Sequence, residues 1–271
     1  GSVIQDYVKG DLEQVAFGNL LNALFAHTQD ERYKKASNWL HHYLVMGYPR
    51  NKKTTAQNTF ISHEKLPNQM RLDGLDWAVT FFARWVSSFD QRNTQAWSDI
   101  ADQFMQLNTQ TYNSVTGLNY TFWSSDAEHD DTEGMIKDGV FKGCIPHYSA
   151  MSMAHFFAAA VDVLAVIPKE QPDHASLTIL ANQIASGLMN WQDDVTGQWR
   201  KNVVYQQGTD DDFDEEASDL IAASFLKAVR IGALKETEHK AFATKSYELV
   251  KSRIGSALLQ AEYDAFQKAL P

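Results

Sequence analysis

Apolar residues recur at helical spacing along almost the whole of this 271-residue chain, and that regularity constrains its fold more than any other feature. Leu12, Val15, Leu20, Leu21, Leu24 and Phe25 follow i, i+3, i+4 logic, as do Tyr33, Ala36, Leu40, Tyr43 and Leu44. The same spacing predicts helices over Asp73–Phe89, Gln95–Tyr112, Ser149–Ile167, His174–Trp191, Glu215–Ile231 and Glu236–Ile254, with a last one over Ser256–Ala269. Only Lys201–Tyr205 carries the alternation of a strand.

The helices come in pairs with similar junctions. The stretch His27–Ala36 resembles Phe89–Trp97, Leu234–Phe242 is a weaker third copy, and Ile167–His174 joins another pair. Each pair is followed by a longer polar connection, at Tyr48–Pro67, Asn113–Pro146 and Asp193–Asp214. Short turns at one end and long loops at the other predict an all-α toroid of helical hairpins. We read residues 1–271 as one domain, with 1–10 as an N-terminal extension. Loops longer than about 12–15 residues in a compact domain are usually functional or disordered, so a cleft is expected at the loop end.

Charge narrows the partners. A formal net charge of -10 argues against nucleic acid, which needs a cationic surface. An acidic sugar would need local basic groups for the same reason. Aromatic residues make up 12% of the chain, which fits either a carbohydrate cleft or a well-filled core. The single Cys144 excludes an internal disulfide framework and a multi-Cys zinc site, and it fits a reducing compartment. No apolar run approaches a membrane span. Gly1-Ser2 reads as a cloning remnant, so a removed export signal is compatible with the sequence, and cytoplasmic, periplasmic and secreted placements all stand.

The stretch Leu66–Trp77 places Asp73 where a polar loop becomes an apolar helix. Desolvation there suits a carboxyl to proton chemistry, and a helix N-cap is the plainer reading. Asp76 lies three residues on and can share its face. Trp123, Trp199 and Tyr120 lie in or beside long loops, as sugar-stacking rings or as core. Arg71 is a candidate partner for a substrate carboxylate. The acidic run Asp210–Glu216 precedes a helix, where the dipole favours negative charge, and lacks the ligand alternation of a calcium loop. His129–Glu133 gives no better ligand pattern, and no metal site is expected.

Taken together, the chain resembles glycoside hydrolase family 105, the unsaturated rhamnogalacturonyl hydrolases, and the related family 88 unsaturated glucuronyl hydrolases. The likeness runs from about Leu12 to Arg253 and rests on the order and spacing of several pieces. These include Thr28–Ala36, Leu66–Leu75, Thr116-Gly117-Leu118 with Trp123, Val161–Leu164, Trp191–Trp199 and Lys227–Gly232. The resemblance implies an (α/α)6 toroid that acts on Δ4,5-unsaturated uronyl oligosaccharides by hydrating the double bond, without a metal or organic cofactor. It puts Asp73 in the position of the proton-donating acid and Glu13 in that of a second carboxylate. Trp123, Trp199, Tyr120, Arg71 and Asp76 are then the expected substrate contacts.

The chain also departs from the family pattern. Thr121 stands where a His is usual, and Asp76 stands where an aromatic is usual. The family's Trp-x-Arg-Gly-x-Gly-Trp element falls on Ser149–His155, with Met151 in place of the Arg and His155 in place of the second Trp. Periodicity gives about nine helices, against about twelve in a complete six-hairpin ring. An open ring, or one closed by a partner such as a second copy or by an unconventional packing, is expected. The alternative function is a non-catalytic toroid that binds glycan or a protein partner, and a different glycosidase on the same scaffold is a third reading.

Overall fold

The computed structural model describes residues 10–52, 58–60, 68–124, 144, 147–204, 212–252 and 256–269. Nine α-helices account for most of them: α1 (Phe17–Thr28), α2 (Glu31–His42), α3 (Asp73–Phe89), α4 (Thr94–Thr111), α5 (Ala150–Leu164), α6 (Asp173–Asn190), α7 (Glu215–Arg230), α8 (Glu236–Lys251) and α9 (Ala257–Ala269). A 3-10 turn, Glu13–Ala16, leads into α1.

The similar junctions are capped hairpin turns. Asp30 accepts a bond from the Arg32 amide at the start of α2, and Asn93 accepts one from Ala96 at the start of α4. Each satisfies a helix N–H that would otherwise lack a partner. The weaker third copy starts α8 at Lys235, which supplies no side-chain cap.

The odd-numbered helices pack successively, α1 on α3, α3 on α5, α5 on α7 and α7 on α9, while α2, α4, α6 and α8 lie outside them. This is the layout of a helical toroid. Burial follows the layers: α3, α5 and α7 are buried over most of their surface, whereas α2 buries only Ser37 and Leu40. One hydrophobic cluster runs from Leu12 to Phe266, with Phe81, Phe104, Phe156, Phe157 and Phe225 fully enclosed. Each such ring contributes roughly 1.5–3 kcal/mol by leaving water. Close approach is built in at Gly18, where a Cβ would lie 2.4 Å from the Phe81 ring and hold α1 away from α3. The two ends of the curve, α1 and α9, share no substantial contact among the described residues.

The expected strand over Lys201–Tyr205 is not formed in its described part; Asn202 makes a single bridge to Ser149. The strands that do form are two or three residues long. β1 (Gln69–Arg71) pairs antiparallel with β4 (Phe122–Ser124), and β2 (Tyr112–Asn113) with β3 (Leu118–Asn119).

These short pieces sew the long connections together at one end. The Leu72 amide bonds the Thr121 carbonyl at 3.2 Å, and the Thr121 amide bonds the His147 carbonyl at 3.0 Å. The Ala150 amide bonds Lys201 at 2.9 Å, and the Lys201 amide bonds Asp212 at 2.9 Å. Parts of the second and third connections thereby form a rim with β1 beside the N-termini of α3, α5 and α7.

Candidate active site

Asp73 is the first residue of α3 and is 7% exposed. Strand β1 delivers Arg71 two residues earlier, and its guanidinium grips the carboxylate with both arms. Arg71 Nε donates to Oδ1 at 3.0 Å and Nη2 to Oδ2 at 2.9 Å. The carboxylate therefore serves a side chain and makes no capping bond to the helix backbone, which disposes of the N-cap reading. Arg71 is held firmly charged by this bond, against its own burial.

One turn along, the Asp76 Oδ2 lies 2.7 Å from His155 Nδ1 on α5. That bond is the main reason the imidazole's pKa is raised above its ordinary 6.5; burial opposes it, and the charges of Asp76 and Asp73 reinforce it. Asp73 thus acts on His155 electrically, and one small cluster holds two carboxylates, an arginine and a histidine. Sequence reasoning treated Asp76 and His155 as two separate departures. They are one interacting pair.

The cluster continues as a seam along the inner helices. On α5 the positions not fully buried are Met151, His155 and Asp162, a single stripe on a helix otherwise enclosed. Arg84 of α3 pairs with Asp162 and also donates to Asn19 of α1 at 3.0 Å. Lys227 of α7 reaches the other Asp162 oxygen at 2.5 Å. The inner face of the curve is therefore polar along its length, with acid–base groups nearest the rim.

The remaining expected residues are placed differently. Glu13 is exposed on the 3-10 turn and makes no side-chain bond to Asp73, although the adjacent Leu12 packs against Gly74. Trp199 is 0% exposed, with its indole N–H donating to the Leu188 carbonyl at 2.8 Å. Trp123, the middle residue of β4, is buried opposite Met70 of β1, and Tyr120 is buried against Tyr148 with its hydroxyl accepting from Asn113 at 2.8 Å. These three rings are core residues here, not platforms at an open surface, because the rim folds over them. The half-buried aromatic beside the cluster is Trp77, immediately after Asp76. Its position four residues after Asp73 is the signal that was open to sequence reasoning.

Thr121, which replaces the usual His, staples the rim: its hydroxyl donates to the His147 carbonyl at 2.8 Å and accepts from the Ser149 amide at 3.0 Å. Asp214, from the acidic run, caps α7 by accepting from Ala217 at 3.0 Å. His129–Glu133 lies outside the described residues. A cavity of about 720 Å³ opens elsewhere, between α2, α3 and α4, where Arg50 pairs with Asp99. It contains none of Arg71, Asp73, Asp76 or His155, so it is not the site described above.

The sequence profile of Glycosyl Hydrolase Family 88 matches residues 3–258. The chain belongs to this family. Among solved structures, a glycoside hydrolase of family 105 from C. acetobutylicum ATCC 824 superposes with a TM-score of 0.80 at 26% identity, covering 90% of this chain and 64% of that one. A possible family 105 member from Salmonella enterica serovar Paratyphi A gives 0.74 at 17% identity, covering 94% and 62%. The unsaturated glucuronyl hydrolase of Bacillus sp. GL1, responsible for glycosaminoglycan degradation, gives 0.64 at 12% identity, covering 89% and 62%. The family 88 chain described here thus spans less than two thirds of the length of these structures, and the latter two likenesses speak to fold alone.

Proposed function

We propose that this family 88 chain is a glycoside hydrolase acting on Δ4,5-unsaturated uronyl oligosaccharides by hydration of the double bond. The observation that carries the reading is Asp73: a nearly buried carboxyl at the inner rim of the toroid, oriented by Arg71 and flanked by a second acid–base pair. Family membership supports a glycoside hydrolase, and a nearly buried, oriented carboxyl supports acid catalysis within that class.

In this mechanism the protonated Asp73 gives its proton to C4 while a water oxygen bonds to C5. The water's proton returns to the carboxylate, which restores the acid. The resulting hemiketal opens to a ketone, and the freed C1 hemiacetal releases the aglycone as an alcohol. A carboxylate that takes both Arg71 bonds has no proton to give. When Asp73 is protonated, one oxygen keeps an Arg71 bond and the other turns its O–H to the substrate, so Arg71 acts by positioning Asp73. Trp77 offers the partly exposed ring on which a sugar face can rest.

A non-catalytic, glycan-binding toroid is the competing reading. The isolation of Glu13 and the burial of Trp123, Trp199 and Tyr120 favour it. Incubation with a panel of polysaccharide-lyase products separates the two. Loss of the ultraviolet absorbance of the conjugated double bond supports the enzyme, and unchanged absorbance with bound sugar supports the binding protein.

A further inference from the structure

If the substrate carries a uronate, as that reading requires, something in the site must face its carboxylate. Among the described residues, the cations of the cluster and of the seam behind it are already committed. Arg71 holds Asp73 with two bonds, Arg84 holds Asp162 and Asn19, and Lys227 holds Asp162. His155 differs from them. Its Nδ1 is engaged with Asp76 at 2.7 Å, whereas its Nε2 takes part in no bond among the described residues. Its side chain is 26% exposed, so a ligand can reach it.

From this arrangement we infer that His155, in its imidazolium form and oriented by Asp76, is the group that recognises the substrate carboxylate through Nε2–H. A carboxylate behind Nδ1 fixes the ring and leaves Nε2 to act on the ligand. The placement on α5 agrees. Met151 and His155 are one turn apart on the same stripe, so a cation at either position addresses the same side of the site.

The charged groups acting on the ring are Asp76 and Asp73, both from α3, with Arg71 of β1 bonded to the latter. Further along the seam, Asp162 of α5 is shared by Arg84 of α3 and Lys227 of α7. The Asp76 bond favours the imidazolium over the neutral ring, and carboxylate recognition should fade as pH rises through the raised pKa. A permanent cation would show no such fading.

The test is calorimetric binding of a saturated uronyl disaccharide, which has no double bond to hydrate, and of its methyl ester to the wild-type protein, in which Arg71 stays on Asp73, from about pH 5.5 to about pH 8.5. The free acid should bind roughly 10–100-fold more tightly than the ester at the acid end and lose that advantage at the alkaline end. His155→Gln should remove the preference at every pH. Adding Met151→Arg to it should restore the preference without its pH dependence. Asp76→Asn should move the midpoint to lower pH, a result that a merely structural histidine would not give. A preference that survives His155→Gln, a preference independent of pH, or no binding of either compound overturns the inference. Carboxylate-dependent binding together with no turnover by the wild type would leave His155 in place and retire the hydration mechanism instead.

Discussion

Replacing Arg71 with Ala leaves the Asp73 carboxylate in place and takes away both of the bonds that the guanidinium gives it. Hydrogen bonds to a charged group are each worth about 1.5–3 kcal/mol, so a direct sum for the two gives about 3–6 kcal/mol. That sum is too large. The Arg71 side chain is 36% exposed, against 10% for Asp73, so water replaces part of what is removed. We expect Arg71→Ala to destabilise the fold by about 2 kcal/mol, most of it from the stranded carboxylate. Asp73→Ala should cost about 1 kcal/mol, because the arginine it abandons can reach solvent. The double variant should resemble Asp73→Ala, with a coupling of about 1–2 kcal/mol. Urea melts read the effect as shifts of the midpoint at constant slope. Strictly additive losses, or an Arg71→Ala midpoint equal to that of the wild type, would show that the pair does not orient Asp73 as described.

Three further outcomes follow from named contacts. His155 has its pKa raised on folding, so the stability it contributes is complete below its unfolded value of about 6.5 and is lost as pH rises through the folded value; thermal melts should show this slope, and Asp76→Asn should flatten it. Gly187→Ala in α6 gains up to about 1 kcal/mol of helix propensity. Its Cβ would meet the Gly117 carbonyl oxygen at 2.1 Å, so overpacking of roughly 1–3 kcal/mol should win and lower the urea midpoint. Burial pushes the Cys144 thiol up to about 12, so it should resist thiol reagents in the native protein and react fully once unfolded.

The fold was legible because helices announce themselves locally. The period of the apolar residues marked all nine, and the likeness of His27–Ala36 to Phe89–Trp97 marked two hairpin turns, which the structure shows to be capped by Asp30 and Asn93. The rim was not legible. Its strands run for two or three residues and are held by backbone bonds between distant loops, which leave no pattern in sequence. For the same reason Trp123, Trp199 and Tyr120 looked like mouth residues: adjacency to a long loop does not reveal whether the loop folds over the ring.

The site divides in the same way. Asp73 could be found from its place at a loop-to-helix junction, and Arg71 from its proximity. Asp76 and His155 are 79 positions apart, and each alone reads as the loss of an aromatic. Only the packing of α3 on α5 makes them a pair. Substitutions that look like decay in sequence can therefore be coordinated in space, and here they exchange two rings for an acid and a base.

Asp73 is the proposed proton donor of a hydration reaction. The most direct test is the rate at which the wild type and Asp73→Asn remove the conjugated double bond of unsaturated uronyl disaccharides, followed by its ultraviolet absorbance. Loss of a positioned general acid lowers the rate by about 10²–10⁴-fold, so the wild type should consume at least one substrate of the panel and Asp73→Asn should be nearly inert while still binding it. An Asp73→Asn protein as fast as the wild type, or a wild type that consumes none of them, would contradict the account.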